Sequence, residues 1–152
     1  MKPILYTANE KAFESNGIGR MSDAITCKVT EERNGSYELE MTYPIDGIHY
    51  ADLVEERILY APTDDRKKRQ PFRIYRISRP INGQVVVYAQ HISYDLSKYT
   101  VQPFTGTYTD KPQFDLLKSH IVGDCPFTFD STVYNFSAGT LKVQNPVTVR
   151  AL

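Results

Sequence analysis

Residues 25–43 carry the clearest pattern in the chain. Ile25, Cys27 and Val29 alternate with Thr26, Lys28 and Thr30. After Asn34-Gly35, the residues Tyr37, Leu39, Met41 and Tyr43 alternate with Ser36, Glu38, Glu40 and Thr42. A period of two puts apolar side chains on one face of a strand and polar ones on the other. Two such strands around Asn-Gly predict a β-hairpin that covers a core on one side only. On its polar face Lys28 is expected to pair with Glu38 and Glu40, which adds little stability. Pro44 ends the second strand, because it cannot donate to a ladder inside a sheet.

Further strands are predicted on either side. Ile4–Tyr6 reads as a short first strand, and Asn16-Gly17-Ile18-Gly19 breaks the pattern with a turn. Ile48–Leu53 fits no single template. Val54–Tyr60 reads as a strand stopped by Ala61-Pro62. Gln70–Ser78 and Val85–Gln90 are two more, joined through Arg79-Pro80-Ile81-Asn82-Gly83. Val85-Val86-Val87-Tyr88 does not alternate, which predicts cover on both faces.

The texture changes near His91. His91–Leu96 reads as a helix or a short connector. Phe114, Leu116, Leu117 and Ile121 recur at near-helical spacing behind Pro112, so a helix is predicted over 112–121. Phe127 and Phe129 predict a strand, and 133–143 is aromatic and β-branched without a clear period. Asn145–Leu152 reads as the start of a helix capped by Thr148, so the chain is expected to be a fragment. The expected fold is mainly β (α+β). It has a small β-barrel-like domain over 1–90, then the start of a truncated mixed α/β domain over 91–152 with one or two short helices.

Composition narrows the function. The chain has 152 residues, enough to bury a core without staples. Aromatics reach 12%, from eleven Tyr and seven Phe, and such rings favour pleated faces. Eighteen basic and eighteen acidic residues cancel, which argues against nucleic-acid binding, because phosphate contacts need a basic face. Two cysteines, Cys27 and Cys125, form no close pair, so neither a disulfide framework nor a zinc site is expected. Cys27 reads as a small buried hydrophobe. No apolar run approaches the roughly 20 residues of a membrane helix, and no signal peptide is recognisable. Synthesis in the cytoplasm is expected, without membrane insertion.

Candidate chemistry is sparse. His49, His91 and His120 match no metal spacing. His91 and Asp95 would share a face on a helix, so they are the best candidates for a hydrolase, although a structural hydrogen bond explains them as well. Glu55-Glu56 and Asp64-Asp65 are adjacent, and strand neighbours point to opposite faces, which makes them poor acid/base pairs. Gly17-Ile18-Gly19 is too short to cradle a phosphate. Arg66-Lys67-Lys68-Arg69 reads as a solvated hairpin tip. A binding module for carbohydrate or peptide is the alternative, with Tyr50, Tyr60 or Tyr108 as aromatic platforms.

Four segments in order carry a resemblance. They are Asn34-Gly35-Ser36-Tyr37-Glu38-Leu39-Glu40-Met41-Thr42-Tyr43-Pro44, then Gln70-Pro71-Phe72-Arg73-Ile74-Tyr75, then Ala89-Gln90-His91-Ile92-Ser93-Tyr94-Asp95-Leu96, and Asn145-Pro146-Val147-Thr148-Val149-Arg150. With them the chain resembles the N-terminal region of the phage minor structural or tail-associated family, also called the prophage endopeptidase tail family. The resemblance implies a fold similar to baseplate hub proteins. It implies homotrimers in the full-length protein, whose paired barrel-like domains form a pseudo-sixfold ring. It further implies a place at the virion tail tip, with the distal tail protein and the tape measure protein as partners. No catalytic, cofactor-binding or metal-binding residue is carried over; any cell-wall endopeptidase or lysin activity is expected downstream of residue 152.

Overall fold

A computed structural model describes residues 2–33, 35–63, 68–108, 112–128 and 139–151 of the chain. They form two compact units, Met1–Ile92 and Ser93–Leu152. The fold is mainly β.

The first unit contains seven strands: β1 (Ile4–Tyr6), β2 (Gly19–Arg20), β3 (Thr26–Glu31), β4 (Tyr37–Pro44), β5 (Ile58–Pro62), β6 (Arg69–Ile77) and β7 (Gln84–His91). They make one curled, antiparallel half-barrel sheet in the order β2-β1-β5-β6-β7-β4-β3. The period-two pattern sets its register. Leu39, Met41 and Tyr43 of β4 stand opposite Ala89, Val87 and Val85 of β7, and all six are buried. Ile74 and Phe72 of β6 and Leu5, Leu59 and Ala61 extend the same face into one core. Burying each large side chain contributes roughly 1.5–3 kcal/mol.

The β3–β4 hairpin forms as its alternation predicts, in the register Thr26–Thr42 to Glu31–Tyr37. Its apolar face is unevenly covered, however. β3 is the last strand of the sheet, so Cys27 and Val29 are only half-buried. Ile25 precedes the strand and is 50% exposed. Lys28 faces Glu40 in the ladder, yet no ion pair within 4 Å joins Lys28 to Glu38 or Glu40 among the described residues.

Three expectations on the other strands need correction. β5 begins at Ile58, while Val54 is exposed in the preceding loop. Ala61 and Pro62 are strand residues, and Ala61 is buried. Thr63 N donates to Lys68 O, so alternation turns the Pro62 nitrogen away from β6, where its missing hydrogen breaks no bond of that ladder. Val85–Tyr88 is fully covered on one face only: Val85 and Val87 are buried, Val86 and Tyr88 half-buried. A solvated outer face suffices for an antiparallel strand, and valine there follows β-propensity rather than burial.

The β6–β7 hairpin turns tightly. Ile81 and Gln84 exchange both backbone hydrogen bonds, at 2.9 and 3.0 Å. Asn82 and Gly83 between them have φ of 52° and 73°. Two positive φ values mark the type I′ turn that Asn-Gly favours.

The second unit is smaller. The 3-10 helix Ile92–Lys98 follows β7, and then come β8 (Thr100–Val101), β9 (Phe104–Tyr108), α1 (Pro112–Ser119), β10 (Gly139–Val143) and β11 (Val147–Thr148). β9 pairs with β10 and β8 with β11, both antiparallel. Val101, Val143 and Val149 are buried, with Leu96, Phe104, Leu117 and Ile121 packed against them. Gly106 admits the Leu116 side chain: a Cβ there would lie 2.6 Å from its Cδ2. The predicted helix exists but stops at Ser119, whose hydroxyl donates to Leu116 O at 2.7 Å. The strand expected at Phe127 is not formed, and Phe129 lies outside the described residues. Thr148 ends β11 and leads into a 3-10 turn, Val149–Ala151.

Gly83→Ala is expected to cost about 1 kcal/mol, although no atom lies within 4 Å of the added Cβ, because φ is +73°. Gly17→Ala should cost more, since φ is +60° and the Cβ would also lie 2.4 Å from Leu5 O. Urea midpoints at unchanged slope measure both; equal effects would contradict this geometry.

Candidate assembly surface

Large apolar residues are exposed at one end of the half-barrel. Ile48 is 81% exposed, Ile81 71%, Ile25 50% and Ile45 42%. Backbone hydrogen bonds gather the segments that carry them. Ile45 N donates to Gly83 O at 2.9 Å, which sets the loop after β4 beside the β6–β7 turn. Ile25 N donates to Thr42 O at 2.9 Å, which sets the segment before β3 beside the end of β4.

The loop bearing Ile48 is fastened by a polar network. Tyr43 is the last inward-facing residue of β4, with its ring in the core. Its hydroxyl donates to Asp23 Oδ2 at 3.3 Å and accepts from His49 N at 3.2 Å. The same Asp23 oxygen accepts from Ile48 N at 2.9 Å. Burial raises the Tyr43 phenol above its ordinary range, so it stays a neutral donor at physiological pH. Gly47 lets the loop lie on that ring, since a Cβ there would be 2.5 Å from Tyr43 Cε1.

A second clasp follows along the chain. His49 Nδ1 is 3.1 Å from Asp52 Oδ2, and Arg57 Nη1 is 3.1 Å from Asp52 Oδ1. Arg57 also donates to Asp52 O at 2.6 Å. A histidine oriented by an aspartate resembles half of an acid/base pair. Here Nε2 packs on Gly19, where an added Cβ would lie 2.2 Å away. The ring therefore closes the loop against β2.

Of the residues singled out from the sequence, His49 belongs to this clasp and Tyr50 follows it; the others lie elsewhere. His91 ends β7, stacked on Tyr37 at 4.4 Å with Nε2 3.3 Å from Gln70 Oε1. Asp95 belongs to the second unit and pairs with Lys98 at 3.0 Å. His120 stacks on Phe104 at 4.0 Å. Tyr60 is stacked on Phe13 at 5.0 Å, and Tyr50 is half-buried against the core. Neither offers an open platform; the Tyr108 side chain lies outside the described ones, as do Asp64, Asp65, Arg66 and Lys67. Arg69 donates to Tyr60 O at 2.9 Å, so this member of the basic run binds backbone. Cys27 and Cys125 are free thiols, and burial raises that of Cys27. Among the described residues no group of three His, Cys, Asp or Glu could hold a metal ion, and no helix is long and apolar enough to cross a membrane.

No protein-family model, curated protein or solved structure matches the chain. What the surface can do follows from its own chemistry. Exposed isoleucines on a loop held by hydrogen bonds present apolar area without a further ordering cost, which suits a protein contact. Sequence patterning missed this set because Ile45, Ile48 and Ile81 lie in loops and turns, outside any period. The only signal was isoleucine in segments rich in Pro, Gly and Asp.

The clasp gives a pH dependence. The hydrogen bond from His49, then that from Arg57, lowers the Asp52 carboxyl below its ordinary value of 3.8. Its stabilisation is therefore present above that value and lost as pH falls through the lower folded-state value. Asp52→Asn should lower the urea midpoint at pH 7 and lower it by less at pH 2.5. A deficit that persists undiminished at pH 2.5 would contradict the ionised clasp.

Proposed function

We propose that this chain is a structural subunit of a phage or prophage tail tip, of the baseplate-hub kind, joined to its neighbours through the isoleucine end of the first unit. The observation that carries the reading is the set Ile25, Ile45, Ile48 and Ile81, exposed on segments pinned to the sheet end. A rigid β-unit with an apolar end suits repeated packing of like subunits, and a ring closes when the rotation per subunit closes. The resemblance supplies the place: the tail tip, between the distal tail and downstream cell-wall-acting segments, with the distal tail and tape measure proteins as neighbours. The chain's part in this reading is geometric rather than catalytic.

Antibodies raised against the chain should place immunogold at the distal tip of purified particles. Well-preserved particles that label for the capsid but not for this chain would overturn the reading. A carbohydrate- or peptide-binding module would then take first place. In particles that do label, Ile48→Asp with Ile81→Asp should abolish incorporation while the chain itself stays folded. Fully burying one isoleucine contributes roughly 1.5–3 kcal/mol, so the pair should weaken association on the order of 100-fold or more.

A further inference from the structure

The outer face of the first unit's sheet carries a second feature, independent of the tail-tip reading. Between Ile74 and Arg76 the β6–β7 register slips by one residue. Ile74 faces Ala89 and Arg76 faces Tyr88, so Tyr75 is the additional residue of a β-bulge. Bulges re-aim side chains; here Tyr75 and Arg76 are both exposed. The Tyr75 and Tyr88 ring centroids are 6.5 Å apart, with planes tilted by 40°. The Arg76 guanidinium carbon lies 4.1 Å from the Tyr88 centroid.

Across the next strand stand two carboxylates. Glu40 is the ladder partner of Tyr88, and Glu38 lies on the same face two residues away. Both are exposed, and among the described residues neither has an ion pair within 4 Å. Rings and carboxylates line a trough of about 320 Å³, with Thr30 and Ser36 at its far side. That volume is at the small end for a ligand site and suits one long side chain rather than a cofactor. The Tyr75 phenol is raised, by burial first and by Glu38 next, consistent with a negative potential there.

We propose that this trough binds the guanidinium of an arginine presented by a partner protein. Among the residues that line the trough, two carboxylates stand against one arginine, a net negative charge that attracts cations. Lys28, the ladder partner of Glu40, lies outside that lining and makes no ion pair within 4 Å with either carboxylate among the described residues. Arg76 on Tyr88 shows that this surface already seats a guanidinium, and Tyr75 beside it adds a second ring for cation–π attraction. Glu38 and Glu40 supply acceptors for its fork of N–H donors. Arginine is also enriched at the centres of protein interfaces.

The test uses the full 152-residue chain and a probe peptide, acetyl-Gly-Arg-Gly-Arg-Gly-amide, followed by amide chemical shifts. Saturable shifts are expected at Glu38, Glu40, Tyr75 and Tyr88. Replacing arginine by citrulline, which keeps the shape without the charge, should weaken binding by about tenfold or more. Glu38→Gln with Glu40→Gln should do the same, as should Tyr75→Leu to a smaller extent. Raising salt from 50 to 300 mM should weaken binding several-fold. No shift at these amides, an equal response to citrulline, or full binding by the Glu38→Gln, Glu40→Gln chain would each overturn the proposal. Maltotriose moving these amides where the arginine peptide does not would overturn it in favour of a neutral sugar.

Discussion

The short connection from β2 to β3 constrains the first unit more than any other feature. Arg20 ends β2 and Thr26 begins β3, at opposite edges of a seven-stranded sheet. Six extended residues reach at most about 21 Å. Seven strands laid flat would separate their outer members by about 29 Å. The sheet must therefore curl until its edges approach, beyond the ordinary twist of β-strands. The connection is tied at both ends, by Met21 N to Pro3 O at 2.9 Å and by Ile25 N to Thr42 O at 2.9 Å. Between those ties Met21 and Ala24 are buried in the core. One segment thus holds the curl and fills part of the space that it encloses.

The same connection reaches the isoleucine end. Asp23 lies between the two plugging residues and accepts hydrogen bonds from both Tyr43 and Ile48. Closure of the sheet and presentation of the isoleucine loop are therefore not separable. Tyr43 links the two scales, with a ring in the core and a hydroxyl in the loop network. Its value there is as a donor and acceptor at a fixed point, which a phenylalanine would not supply.

Among the described residues, the second unit has a lighter core than the first. Three buried valines among them hold it, with short ladders at β8–β11 and β9–β10. The first unit gathers Leu5, Met41, Tyr43, Phe72, Ile74 and others into one cluster. Local opening costs more where many apolar contacts would be lost, so the large core of the first unit makes a firm platform for both surfaces described above.

Period-two alternation by itself determined the β3–β4 hairpin and its polarity, and Asn-Gly the β6–β7 turn, because these depend on neighbours within a few residues. Mainly-β character followed for the same reason. The order of strands was not legible: β2 and β3 are consecutive in the chain and farthest apart in the sheet. That placement decided why Cys27 and Val29 are half-buried and Ile25 exposed, despite the strongest alternation in the sequence. It also decided the fate of the single-residue candidates. His91 stacks on Tyr37, His49 closes a loop against Gly19, and Tyr60 packs on Phe13, each through residues distant in sequence. The isoleucine end and the bulge at Tyr75 belong to tertiary structure alone. An exposed isoleucine in a loop has no period, and a one-residue slip in register arises only when two strands pair.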